Sequence, residues 1–318
     1  MHTALLALTL LQPTTAPADV AVEADTIRVV SYNIENFTQN FTAYALDRKY
    51  RQNEAVPEDI RDFIRYERRA DREENWEVAE TIKAMQPDIL AVQESASLEN
   101  LAYFNESFLD NYFGTIQNLP TNTTREQHLT IMLRPGFEIV ETVTLYEVPD
   151  VNDYNDRGDR LFARGAGFVL IKTPDGDQFW VGNTHQKSKG GNSVRTTRWR
   201  NLEATTTRDK AIELSEQHPV LLVGDMNDTL GIDEHEDEGG GDVMTNMSQG
   251  LILLTRELSD DGVETFKGYG GARYGGFIDH ALATDNMLPF VVDVSVFTGG
   301  MTDSASDHLP VVVDVKFE

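Results

Sequence analysis

The sequence predicts an α/β protein in which two packed β-sheets carry helices on their outer sides. Three observations lead there. Ten or more short apolar runs read as strands, with few helical stretches between them. Hairpin-like pairs of runs outnumber strand–helix–strand units, which argues for two sheets over one parallel sheet. No internal repeat and no domain-sized linker interrupts the 318 residues, a length that can bury a large core.

The elements follow in order. Residues 27–33 alternate and are β-branched, so they read as a strand, ending in Asn33-Ile34-Glu35-Asn36-Phe37. Residues 38–72 are polar, charged and weakly periodic, and read as a partly helical insertion over a site. Residues 74–85 have helical spacing through Trp76, Ala79, Ile82 and Met85, and Pro87 stops the helix. Residues 88–94 form the next strand, finishing in Gln93-Glu94. A helix over 98–109 follows, then strands near 129–133 and 137–146 about the turn Arg134-Pro135-Gly136. Residues 150–160 are rich in Asp and Asn but lack the spacing and final glutamate of an EF-hand, so they read as a loop. Residues 162–172 and 178–184 make a hairpin around Pro174-Asp175-Gly176. A long helix over 194–217 carries cations on its first turns. Residues 219–223 are a buried strand running into Gly224-Asp225-Met226-Asn227-Asp228. The acidic, glycine-rich stretch 233–242 reads as a solvated loop in preference to a calcium site. Strands over 277–283 and 288–297 precede the loop Ser304-Ala305-Ser306-Asp307-His308 and a last strand over 309–315.

Composition narrows the function. There is no cysteine, hence no disulfide and no thiolate metal site. No apolar run reaches the ~18 residues a membrane span needs. The run Ala4 to Leu11 with Ala16-Pro17-Ala18 resembles a secretory leader, although His2 stands alone where a positive region is usual. Residues 1–24 are therefore expected to be leader and tail, and 25–318 the working domain of a secreted or periplasmic bacterial monomer. Net charge is −26, which repels polyanions at long range and suits a salty medium. The charge is uneven. Lys187, Lys189, Arg195, Arg198 and Arg200 follow His185 with no acid among them, whereas Arg61, Arg65, Arg68, Arg69 and Arg72 are interleaved with acids.

Polar groups recur at the ends of the apolar runs: Asn33, Glu94, His185, Asp225 with Asn227, Asp279, and Asp307 with His308. Asp225 and Asn227, two apart, would look into one pocket from an extended chain, although Asp-x-Asn is more often a self-capping turn. Their order, and the motifs Ser-Tyr-Asn-Ile-Glu-Asn, Asp-Ile-Leu-Ala-Val-Gln-Glu, Asn-Thr-His, Gly-Asp-Met-Asn, Ile-Asp-His and Ser-Asp-His-Leu-Pro-Val, resemble the endonuclease/exonuclease/phosphatase superfamily from about Ile27 to Val315. The resemblance implies a four-layer α/β/β/α sandwich of two mixed sheets. It implies that Glu94 holds a metal with Asn33 beside it and Asp307 helping. It makes His308 the general base oriented by Asp279, and makes Asp225 and Asn227 the groups that position water and phosphate. His185 would hold the phosphate or protonate the leaving oxygen, and Arg164 would bind phosphate. Hard oxygen ligands suit Mg²⁺, with Mn²⁺ or Ca²⁺ as alternatives.

Hydrolysing a phosphodiester needs an activated water, stabilised equatorial oxygens and help for the leaving group, and this set supplies each. Asn183-Thr184-His185-Gln186-Lys187-Ser188-Lys189 resembles the secreted bacterial nuclease branch, with Lys187 and Lys189 gripping phosphates. An extracellular nuclease is therefore the first expectation. A phosphatase or phosphodiesterase for a small or lipid ester is the second, with Tyr269 and Tyr274 as candidate membrane-facing aromatics. A non-catalytic binding module of the same fold is the third. No stable protein partner is implied. His128 is expected to be packed, His218 a helix cap, His235 solvated and His280 turned away from Asp279.

Overall fold

The computed structural model describes residues 26–35, 37, 75–122, 127–155, 159–189, 193–231, 241–268 and 276–317. The expected leader, the 38–72 insertion with its arginines, His235 with most of the acidic loop, and Tyr269 and Tyr274 lie outside the described residues.

Twelve strands and the helices between them are described. β1 (Ile27–Asn33) leads through α1 (75–85) to β2 (Ile89–Ser95) and α2 (Leu98–Phe108). β3 (Thr115–Leu119), β4 (His128–Leu133), β5 (Glu138–Thr144), β6 (Gly165–Lys172) and β7 (Gln178–His185) follow. The long α3 (Val194–Ser215) precedes β8 (Val220–Asp225), and α4 (Val243–Met247), β9 (Ile252–Leu253) and α5 (Arg256–Asp260) precede β10 (Asp279–Ala283). β11 (Val291–Val296), α6 (Thr302–Ala305) and β12 (Val311–Val315) complete the chain.

The strands form two six-stranded sheets, in the orders β11-β12-β1-β2-β4-β3 and β5-β6-β7-β8-β10-β9. Each sheet has one parallel pair, β1 with β2 and β7 with β8, and its other pairs are antiparallel. Period-2 alternation builds three apolar layers. Val29, Ile89, Ala91, Val181, Leu221, Val223, Ala281 and Val313 face inward and pack sheet on sheet. Val30, Tyr32, Leu90 and Val92 face outward under Val78, Ile82 and Met85 of α1 and Leu101 and Phe104 of α2. Trp180, Leu222 and Leu282 lie under Trp199, Ala204 and Ala211 of α3. The result is the expected α/β/β/α sandwich.

Local chemistry sets the ends. α3 begins in a capping box, in which Ser193 Oγ accepts from Thr196 N and Thr196 Oγ1 from Ser193 N. It stops at Ser215, two residues before the expected end, ahead of Pro219. Arg28 of β1 and Asp314 of β12 form a bidentate ion pair, both bonds 2.8 Å, at a register position of the two strands.

Several sequence readings are corrected. Trp76 is 48% exposed, and the buried face of α1 runs through Val78, Ala79, Ile82 and Met85. Residues 288–290 are a 3₁₀ turn, because Pro289 has no N–H to give a ladder, and β11 begins at Val291. β3, β9, α4, α5 and α6 lack the length or patterning to stand out in sequence.

Candidate active site

The inner files of the two sheets change from apolar to polar as they reach one rim. The series are Val29-Ser31-Asn33, Ile89-Ala91-Gln93, Val181-Asn183-His185, Leu221-Val223-Asp225 and, on an antiparallel strand, Ala283-Ala281-Asp279. The parity that packs the core therefore aims the polar groups at one another. Below the rim, Gln93 Nε2 donates to Asn183 Oδ1 at 2.8 Å across the sheets, and Asn183 Nδ2 donates to the carbonyls of Val92 and Thr130. Glu94 is out of phase. Its φ of 58° and a register shift between Val92 and Ser95 swing its carboxylate round to the rim.

Asp225 is the centre. Its Oδ2 accepts from Asn33 Nδ2 at 3.0 Å and Asn227 Nδ2 at 3.1 Å, and lies 3.2 Å from His185 Nε2 and 4.0 Å from His308 Nε2. Its Oδ1 accepts from the backbone N–H of Asn227 at 2.8 Å, whose φ is 51°. The Asp-x-Asn segment is thus both a self-capped turn and part of the pocket. Burial pushes Asp225 up, but the imidazoles of His185 and His308 and the charge of Arg164 hold it well below the usual carboxylate range. Burial, with Arg164, holds His185 below its ordinary value although Asp225 pulls it up. His308 Nδ1 is 2.8 Å from Asp279 Oδ2, and the Phe266 ring lies 4.8 Å from the His308 ring. Burial opposes charge on His308, yet Asp279, Asp225 and Asp307 together raise it. Asp279 is fixed by Thr265, whose Oγ1 accepts from the N–H groups of Ile278 and Asp279.

A second cluster borders this one. Asp307 Oδ1 lies 3.8 Å from His308 Nε2, and Glu94 Oε1 lies 3.8 Å from His185 Nε2. Glu35 Oε2 accepts from Asp307 N, and Asn33 Oδ1 accepts from Glu35 N. Burial raises Asp307 to about 6, and the charges of Glu35 and Glu94 push the same way. Glu35 and Glu94 thus oppose the charge on Asp307, a strain that a hard divalent cation beside Asp307 would relieve. Asp225, Asp279 and His308 also bring ligand atoms within 4.8 Å of one another. There the 2.8 Å bond between Asp279 and His308 already engages one atom of each.

On the other flank, Arg164 Nη1 donates to Gln186 O at 2.8 Å and Asn227 Nδ2 donates to the same oxygen at 3.1 Å. Four of the remaining cations of the run bind protein groups. Lys189 Nζ and Arg200 Nε both bind the buried Asp228 carboxylate, at 2.5 and 2.9 Å. Arg195 donates to the carbonyls of Asp153 and Tyr154. Lys187 Nζ donates to Ser188 O and lies 5.7 Å from the centre of the Trp199 ring. The basic run is thus partly internal structure, and Lys189 sits on Asp228.

Sequence reasoning did not single out Glu35, Gln186, Glu203 or Asp228. Glu35 follows Asn33 in the quoted motif, a signal within reach; Glu203 had none. His280 turns away from Asp279 as expected, with Nδ1 3.0 Å from Thr255 Oγ1 and Nε2 3.1 Å from Asp228 O. His218 follows the end of α3, its N–H donating to Leu214 O.

A family model described as Endonuclease/Exonuclease/phosphatase family matches residues 30–308. No curated protein sequence matches the chain. Among solved structures, an endonuclease/exonuclease/phosphatase from Beutenbergia cavernae aligns with TM-score 0.63 and 18% identity, over 92% of this chain and 72% of its own. D. rerio TDP2 humanized by 14 mutations aligns with TM-score 0.60 and 12% identity, over 92% and 100%. The human Nocturnin catalytic domain with bound sulfate aligns with TM-score 0.57 and 16% identity, over 92% and 94%. At these identities the structures share the fold.

Proposed function

The chain belongs to the endonuclease/exonuclease/phosphatase family, and from that premise we propose that it is a divalent-metal-dependent phosphoester hydrolase, an extracellular nuclease that cleaves phosphodiesters. The observation that carries the reading is the 2.8 Å pair of His308 and Asp279 set between Asp225 and Asp307. Asp279 holds the His308 Nδ1–H, which leaves Nε2 to take a proton from the attacking water. Asp225, fixed by Asn33, Asn227 and His185, orients that water. The new P–O bond forms as the bond to the leaving oxygen breaks, and that oxygen takes up a proton from solvent water to leave as an alcohol. Arg164 and Lys187 bind the phosphoryl oxygens, Asn227 holds Asp225 and the Gln186 carbonyl beside them, and His185 acts through Asp225.

Glu94, Asp307 and Asn33, joined by Glu35, would hold the ion, Mg²⁺ first and Mn²⁺ or Ca²⁺ in its place. Bound there, it would stabilise charge on the phosphoryl oxygens and draw His308 back toward the range of a general base.

A small or lipid ester is the second reading, and the charge pattern favours it. At −26 the protein repels polyanions, and Lys189 and Arg200 are taken up by Asp228. The test compares plasmid DNA, RNA, bis-p-nitrophenyl phosphate and sphingomyelin with Mg²⁺ or Mn²⁺ and an EDTA control. Metal-dependent plasmid nicking supports the nuclease. Turnover of small or lipid esters alone moves the second reading to first. His308→Ala is expected to lower kcat by about 10²–10⁴ in protein that still unfolds cooperatively, at a lower Tm because Asp279 loses its partner, and a wild-type rate in that variant would sink the mechanism.

A further inference from the structure

Glu203 is a fully buried carboxylate on α3, outside the reacting cluster. Its Oε1 accepts the N–H of Ala163 at 2.9 Å, and its Oε2 accepts the N–H of Lys187 at 2.7 Å. These amides belong to two separate chain segments. One leads directly into Arg164. The other is the peptide unit joining Gln186 to Lys187, whose opposite end, Gln186 O, accepts from Arg164 and Asn227. The Gln186 N–H is held in turn by Asp225 O at 3.0 Å. A peptide is planar, so fixing its N–H fixes where its carbonyl points. We propose that Glu203 is a positioning residue for the phosphate-binding groups: it holds the 186–187 peptide so that its carbonyl anchors Arg164 and Asn227, and it holds the backbone of Arg164 from the other side.

The arrangement rests on the hydrolase reading for its purpose, but not for its geometry. A carboxylate is costly to bury, and a helix–sheet contact needs none. Burial pushes Glu203 up to about 7, against the two amides and the charges of Arg164 and Lys187. Two backbone donors and a cationic flank keep an acceptor at this position useful. A glutamine there can accept one of the two N–H groups, and its own NH₂ faces the other donor.

The test uses wild type, Glu203→Gln, Arg164→Ala and the double variant, with bis-p-nitrophenyl phosphate and Mg²⁺. Glu203→Gln is expected to raise KM about tenfold with kcat within about threefold, the scale of one lost charge-assisted hydrogen bond. Because Glu203 acts partly through Arg164, adding Glu203→Gln to Arg164→Ala should raise KM by less than it does in wild type. Unchanged KM, or full additivity in the double variant, overturns the proposal. If Glu203→Gln does not fold, Glu203→Asp, which keeps the charge but shortens the reach, replaces it with the same readouts. If wild type hydrolyses no ester, the hydrolase reading fails. Inorganic phosphate titrated against the labelled Arg164 guanidinium by NMR then decides the positioning claim alone. Affinity about tenfold weaker in the variant supports it, and equal affinity, or no phosphate response at Arg164 in wild type, overturns it.

Discussion

Alternation along β10 gives adjacent residues opposite uses. Asp279 points inward to His308, and His280 points outward, fully buried, between Thr255 and the carbonyl of Asp228. Burial pulls the His280 imidazole down to about 4. Its folded pKa thus lies below its unfolded one, near 6.5, and the unfolded chain binds the proton first as pH falls. The contribution of His280 to stability is intact above about 6.5 and is lost as pH falls toward 4. That loss is on the order of 2 kcal/mol by pH 5. In His280→Gln, denaturant unfolding at pH 7.5 and 5.0 should show a difference smaller than wild type by about that amount. An equal difference would mean the imidazole is not held neutral. Period 2 made this pair readable in advance, as it did Asp225 with Asn227, whereas Asn33 and His185 were read from their places at the ends of apolar runs. Glu203 was not readable, because its partners are backbone amides, which leave no trace in side-chain sequence, and a glutamate on a weakly patterned helix reads as solvated.

At the scale of elements, the parallel pair β7–β8 draws close just before the site. Gly224 has φ +147°, and a Cβ there would stand 2.0 Å from the carbonyl oxygen of Thr184. That oxygen is backbone and cannot step aside without moving β7 and the His185 it carries. Gly224→Ala is therefore expected to cost on the order of 4 kcal/mol or more, by steric overlap and positive φ together. A calorimetric Tm within a few degrees of wild type would contradict this packing. The apolar run announced β8 in the sequence as far as Val223, whereas the strand continues through Gly224 to Asp225. β3 and β9 escaped notice for a different reason. They are edge strands, short and half-buried or nearly so, and their ladder partners rather than their own residues define them.

Across the whole molecule, both sheets repeat one plan: a parallel pair crossed by an outer helix, with β1, α1 and β2 in one and β7, α3 and β8 in the other. The strand ends of both pairs meet at the site, so the relative seating of the sheets sets its geometry. Gln93 and Asn183 fix that seating from within. Asn183→Leu fills the space but leaves Gln93 Nε2 without that acceptor and strips a donor from two buried carbonyls. It should cost on the order of 2–4 kcal/mol in denaturant unfolding, and kcat should fall with it; full activity and stability would show that apolar packing alone aligns the sheets. The plan of two sheets was legible from strand number and hairpins, but the order of strands was not, since pairing partners lie far apart in the chain. One of those distant pairings has a consequence for a chain cut short. β12 lies against β1, with Arg28 clamped to Asp314, and His308 and Asp307 sit just before β12. A chain that runs only through β10 has Asn33, Glu94, His185, Asp225 and Asp279 but not His308, the proposed proton acceptor, and its first strand has β2 beside it but not β12. Residues 291–315 therefore bring the missing strands of the sheet and the proposed general base together, so a fragment that stops at β10 should lack both.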